Sequence, residues 1–180
     1  MYSNNIEGWM LEEEVNWLYE TSKLMSNVVE IGSWKGRSTH ALLSGCNGAV
    51  YAVDHFKGAD VGADNTNEQA KFEDIHSIFL QNVGHFHNLV LLKMSSEEAS
   101  KLFTDKYFDM VFIDGTHAYD VVMNDIKLWY PKTKRVVCGH DYGSPCGVKQ
   151  AVDDYFTPLV KTVHNKVHSI WYVELSIEKI

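Results

Sequence analysis

Five short apolar runs, "NVVEI", "AVYAVD", "NLVLL", "FDMVFID" and "RVVCGHD", alternate with segments of helical character, "STHALLSG", "NEQAKFEDIHSIFLQNV", "SSEEASKLF", "VVMNDIKLW" and "VKQAVDDYF". Strands that read apolar throughout are covered on both faces, and a helix after each strand supplies that cover, so the runs predict a parallel sheet between two helical layers. The closing stretch, "LVKTVHNKVHSIWYVEL", breaks the rhythm. Its two β-rich runs lie too close together for a helical crossover and read as a terminal hairpin with antiparallel pairing. The expected fold is therefore α/β: a doubly wound, mostly parallel, seven-stranded sheet with a C-terminal antiparallel hairpin.

Ahead of the first strand, Leu11, Val15 and Leu18 recur at helical spacing behind acidic residues, which predicts an amphipathic helix over roughly residues 8–25. Residues 1–25 are expected as a helical extension packed on a core of residues 26–180. With 180 residues, 45% of them apolar, and no linker-like tract, the chain is expected to be one compact domain.

Charge and cysteine content narrow the class. A formal charge of −8 with thinly spread Lys and Arg argues against nucleic-acid phosphates and for a small-molecule partner. The start has no signal-peptide pattern, and no apolar run reaches the roughly 18 residues of a membrane span, so a soluble, cytoplasmic protein with no membrane partner is expected. Cys46, Cys138 and Cys146 are odd in number and lack CxxC spacing, which predicts reduced thiols rather than a disulfide frame or zinc site. Oligomeric state is not legible, with a homodimer among the options.

Ligands of open parallel sheets bind beyond the carboxyl ends of the strands. There the stretch "VVEIGSWKGRSTHALL" makes a strand, a tight turn at Gly32 and Gly36, and a helix, while Asp54 follows Gly32 by 22 residues at the next strand end. An acid so placed accepts hydrogen bonds from a ribose diol. The dinucleotide fingerprint would need glycine at 34 and 37, where this chain has Trp34 and Arg37, so the turn suits a nucleoside without a pyrophosphate. Asp114 and Asp141 end two further strands, beside His117 and His140. Two carboxylates on adjacent strand ends can chelate one divalent ion, and a neighbouring histidine can take a proton.

The run Glu30-Ile31-Gly32-Ser33-Trp34-Lys35-Gly36 resembles the first motif of class I S-adenosylmethionine-dependent methyltransferases, which have a Rossmann-like sheet. "FDMVFIDGTHAYDVVMNDIKLW", "VVCGHDYG" and "GVKQAVDDYF" resemble the small stand-alone O-methyltransferases related to macrocin O-methyltransferases, and the likeness spans most of residues 26–158. One departure is that "PKTKRVVCGHDY" lacks the usual Pro-Gly-Gly before the fifth strand. The resemblance implies methyl transfer from S-adenosylmethionine to a small-molecule hydroxyl of sugar or natural-product type. It implies cofactor contacts from Glu30, Gly32, Ser33, Trp34, Gly36, Ser38, Asp54, His55, Ser95, Ser96 and Asp114. It further implies His117 as general base beside Asp114, and Asp114, His140 and Asp141 as ligands of Mg2+ or Mn2+. His140 stands where metal-dependent relatives often carry an acid.

Blander readings accompany these. Asp114 could cap a helix near Thr116, and Ser95 and Ser96 open a helix in the ordinary way. His85 and His87, at the same-face spacing of a strand, read as surface or strand-edge histidines, and Glu12–Glu14 and Asp153–Asp154 as solvated helix faces. The loop 55–69 suits a lid over the substrate. The rival readings are a nicotinamide-dependent oxidoreductase and a non-catalytic S-adenosylmethionine-binding protein.

Overall fold

The computed structural model describes residues 2–59, 66–144 and 147–175, and in it all five apolar runs are strands. They are β1 (Asn27–Ile31), β2 (Ala49–Val53), β3 (Leu89–Leu92), β4 (Phe108–Ile113) and β5 (Thr133–Gly139), followed by β6 (His164–Val167) and β7 (Ile170–Glu174). The sheet order is β3-β2-β1-β4-β5-β7-β6. The first five strands pair in parallel, and β7 inserts antiparallel between β5 and β6, with Val173 opposite Val137. This is the expected mostly parallel, seven-stranded sheet with its terminal hairpin.

Successive side chains of a strand face opposite layers. Val28 and Val50 join Val15, Leu18, Leu42, Phe79 and Val83 on one face, under α1 (Glu12–Ser22), α2 (Arg37–Gly45) and α4 (Ile75–Val83). Val29 and Val111 join Ile126, Trp129, Val152 and Phe156 on the other, under α5 (Ser96–Ser100), α6 (Tyr119–Trp129) and α7 (Val148–Phe156). The two helices α1 and α2 approach so closely that a Cβ on Gly45 would lie 2.1 Å from Ser22 Oγ and 2.4 Å from the Tyr19 carbonyl oxygen.

Three expectations are revised. The long helical segment after β2 is two helices, α3 (Thr66–Phe72) and α4, because the Asp74 carboxylate accepts the Ser77 N–H at 3.1 Å and starts a new helix. The first helix is shorter than expected, preceded by a 3-10 turn at Tyr2–Asn5. His85 and His87 lie in the turn between α4 and β3 rather than on a strand. Cys46 and Cys138 are free, buried thiols whose burial pushes their pKa up; Cys146 lies outside the described residues. Among the described residues, no helix is long and apolar enough to cross a membrane.

Candidate active site

A cavity of about 760 Å³ opens at the carboxyl ends of the parallel strands. Its wall contains Gly32, Ser33, Trp34, Ser38, Asp54, His55, Ser95, Ser96, Asp114, His117, His140 and Asp141, so the structure gathers these sequence-expected residues around one space. Two expected contacts are set back from it. Glu30 is fully buried beneath the turn, where its carboxylate accepts the Thr39 hydroxyl at 2.5 Å; burial pushes its pKa up to about 7 against the hydrogen bonds from Ser38 and Thr39. Gly36, at φ +91°, turns the chain into α2, and a Cβ there would press on Phe79 and Val83 at 3.2 Å. Both residues shape the turn from behind.

The turn is built around Asp54. Asp54 Oδ2 accepts the N–H groups of Ser33 and Trp34 at 2.9 and 2.8 Å, and Oδ1 accepts that of Phe56 at 2.6 Å. A carboxylate has about four lone-pair sites, so three are committed to the protein's own backbone. The sequence reading has Gly32 facing the ligand. In the structure it adopts φ +86°, and a Cβ would lie 2.2 Å from the Asp114 carbonyl oxygen, so the constraint at Gly32 is the neighbouring strand end. The Trp34 side chain lines the cavity beside this turn, on a wall where a pyrophosphate would need bare backbone.

The acid cluster sits at the ends of β4 and β5. His140, 8% exposed, has Nδ1 3.0 Å from Asp141 Oδ2 and 3.7 Å from Asp114 Oδ1, while Nε2 lies 3.0 Å from Glu14 Oε2. Burial opposes charge on His140, but Asp114, Asp141 and Glu14 outweigh it and push its pKa up to about 11. His117 Nε2 lies 3.0 Å from the same Asp141 oxygen. Burial would raise the Asp141 pKa, yet the two histidines hold it well below the usual carboxylate range. Burial raises Asp114 to about 6, with Asp141 adding to the rise and the two histidines opposing it. Asp141 adopts φ +62°, a backbone conformation rare outside glycine and met at functional sites. Asp114 is not a helix cap, because α6 begins at Tyr119 with Ala118 as its N-cap.

Sequence reasoning missed Glu14. It is 1% exposed rather than part of a solvated face, and its Oε1 also accepts the Ser169 N–H and hydroxyl at 3.0 and 2.7 Å. Burial is overcome by these bonds and by His140, so its pKa falls to about 2. No spacing in "EEE" marks the third acid apart, because its partners come from the far end of the chain. The segment before α1 was missed as well. Glu7, Trp9 and Met10 wall the cavity, with Glu7 held by Lys35 Nζ at 2.8 Å and the backbone oxygens of Asn4 and Ile6 held by Arg37. Of the expected lid, Gly58, Ala59 and Thr66 border the cavity, and residues 60–65 lie outside the described residues.

Asp114, His140 and Asp141 can each turn one donor atom to a common point, all within 4.8 Å of one another. Two carboxylates and one imidazole form a donor set that fits a divalent ion, and Glu14 on the second ring nitrogen supplies the carboxylate support usual behind a ligating histidine.

The strand order reverses at β1 and β4 with the cavity over that point, where doubly wound α/β sheets bind their ligands. A family model described as a methyltransferase domain matches residues 29–142, and the chain belongs to that family. Among solved structures it is similar to cofactor-bound Rv0187 from MTB, at 16% identity and a TM-score of 0.65, covering 98% of this chain and 87% of that one. It is also similar to the O-methyltransferase from Bacillus cereus in complex with SAH, at 15% identity and a TM-score of 0.63, covering 97% and 86%. A third is the O-methyltransferase TomG from Streptomyces achromogenes, involved in tomaymycin synthesis and in complex with SAM, at 15% identity and a TM-score of 0.60, covering 93% and 81%. At these identities the likeness is one of fold. No curated protein matches the chain.

Proposed function

We propose that the protein transfers a methyl group from S-adenosylmethionine to a hydroxyl of a small molecule, of sugar or natural-product type, in the cytoplasm. The observation that carries this reading is the pairing of His117 with Asp141 at 3.0 Å on the wall of a cavity that also contains the glycine turn. S-adenosylmethionine supplies a sulfonium whose methyl carbon is already activated, so the protein's task is to align the acceptor oxygen and remove its proton. His117 takes that proton, and Asp141 orients the imidazole and offsets the positive charge it gains. Gly32, Ser33 and Asp54 hold the cofactor end of the cavity, with the one uncommitted lone-pair site of Asp54 available to a ribose hydroxyl. A divalent ion would be held by Asp114, Asp141 and His140 Nδ1, displacing the proton this nitrogen otherwise carries, and would lower the pKa of the acceptor hydroxyl. The named activities of the Bacillus cereus enzyme and of TomG support oxygen as the methylated atom.

The test is calorimetry followed by turnover. S-adenosylhomocysteine should bind and NADH should not, and labelled methyl from S-adenosylmethionine should appear in phenolic or sugar acceptors screened with the purified protein. Tighter binding of NADH than of S-adenosylhomocysteine would sink the proposal.

A further inference from the structure

One buried acid on the cavity wall has no part in this chemistry. Asp125, on α6, is 4% exposed yet borders the cavity beside the end of β3. Its Oδ1 accepts the Ser96 hydroxyl at 2.5 Å, and Ser96 Oγ accepts the Trp129 indole N–H at 2.8 Å. A hydroxyl has a single proton, so Ser96 gives its only donor to Asp125 and cannot offer it to a ligand. The cofactor contact that the resemblance implies at Ser96 is thus closed to donation from its hydroxyl, which is committed to the acid behind it. Asp125 Oδ2 lies 3.8 Å from where a Cβ on Gly115 would stand, so the glycine puts no side chain beside this oxygen in the cavity that both residues line.

We propose that Asp125 selects the purine of the cofactor, its Oδ2 accepting a hydrogen bond from the exocyclic amino group of adenine. This rests on the S-adenosylmethionine reading above. A nucleoside with its ribose at Asp54, on the end of β2, lays its base toward the adjacent end of β3, where Ser95, Ser96 and Asp125 line the wall. An ionised carboxylate only accepts and an exocyclic amine only donates, so the pair is matched. A 6-oxopurine would set its carbonyl oxygen against the carboxylate, two acceptors with no proton between them. Burial pushes the Asp125 pKa up to about 6, opposed by the Ser96 bond, so near neutral pH the group is the acceptor this requires.

The experiment is calorimetric titration of the wild-type chain and of Asp125→Asn with S-adenosylhomocysteine and with S-inosylhomocysteine, its 6-oxo analogue. Wild type should prefer the adenine ligand by at least about tenfold, the scale of one mismatched buried polar contact. Asp125→Asn, whose amide both donates and accepts, should bring the two affinities to within about threefold of each other. A purely structural role would lower both affinities together and leave their ratio unchanged, which would overturn the assignment. Equal binding of the two ligands by wild type would also overturn it, and that result needs no variant to fold. Binding of neither ligand would instead defeat the cofactor reading on which the assignment stands.

Discussion

His140 is held by three carboxylates, and its protonation links the site to stability. Its folded pKa of about 11 exceeds the ordinary value of 6.5, so the folded state holds the proton more tightly than the unfolded chain does. The stability this contributes is complete below pH 6.5 and is lost as pH rises toward 11. Glu14 acts at the other end: lowered from 4.5 to about 2, it stabilises above pH 4.5, and that contribution is lost as pH falls toward 2. Asp114, raised from 3.8 to about 6, has the opposite sign and is relieved as pH falls from 6 toward 4. The melting temperature should therefore fall between pH 7 and 10, and Glu14→Gln should flatten that fall by removing one of the anions behind His140. Parallel wild-type and variant melting curves over this range would refute the coupling. His117→Ala addresses the chemistry: kcat should drop by roughly 10² to 10⁴, the range for a lost general base, with S-adenosylhomocysteine affinity unchanged. A comparable loss of that affinity would mean that His117 binds the cofactor rather than the acceptor proton.

At the scale of elements, the strand-turn-helix unit at residues 27–45 is held from outside itself. Asp54 accepts three backbone N–H groups, two of them from the turn. Asp54→Ala should thus reduce stability, read as a lower melting temperature, as well as weaken S-adenosylhomocysteine binding, each by about 1–3 kcal/mol for donors left unpaired. Weakened binding with an unchanged melting temperature would make Asp54 a ribose contact alone. Gly32→Val should cost stability first, because its side chain would meet the Asp114 backbone. The strands were legible because their apolar runs are of strand length, rich in valine, and alternate with segments of helical character, the pattern of a sheet covered on both faces. The break at Asp74 was not, since "KFEDIHSIF" keeps a helical pattern through it and only the side-chain bond to Ser77 N–H shows a new start. The strand-end residues were found because the topology rule says where to look. Glu14, Glu7 and Asp125 were not, because their roles depend on partners distant in the chain or on which side of a helix faces the cavity.

At the scale of the molecule, both ends of the chain converge on the acid cluster. Glu14 comes from the first helix, Ser169 from the turn of the terminal hairpin and His140 from the end of β5, and the three are joined by hydrogen bonds of 2.7–3.0 Å. Three carboxylates, Glu14, Asp114 and Asp141, surround one strongly basic imidazole, an arrangement with negative charge left to neutralise. A divalent ion at Asp114, Asp141 and His140 would supply that neutralisation where the acceptor hydroxyl must ionise. Excess chelator should then suppress turnover without displacing S-adenosylhomocysteine, and Mg2+ or Mn2+ should restore it. Because an ion that binds only the folded chain stabilises it, Mn2+ at about a hundred times its Kd should add about 2.7 kcal/mol to wild-type stability. Asp141→Asn should lose most of that gain. Full turnover in excess chelator, with no thermal shift on adding Mn2+, would instead leave the His140 imidazolium as the cation that balances these acids, with His117 and Asp141 alone activating the acceptor.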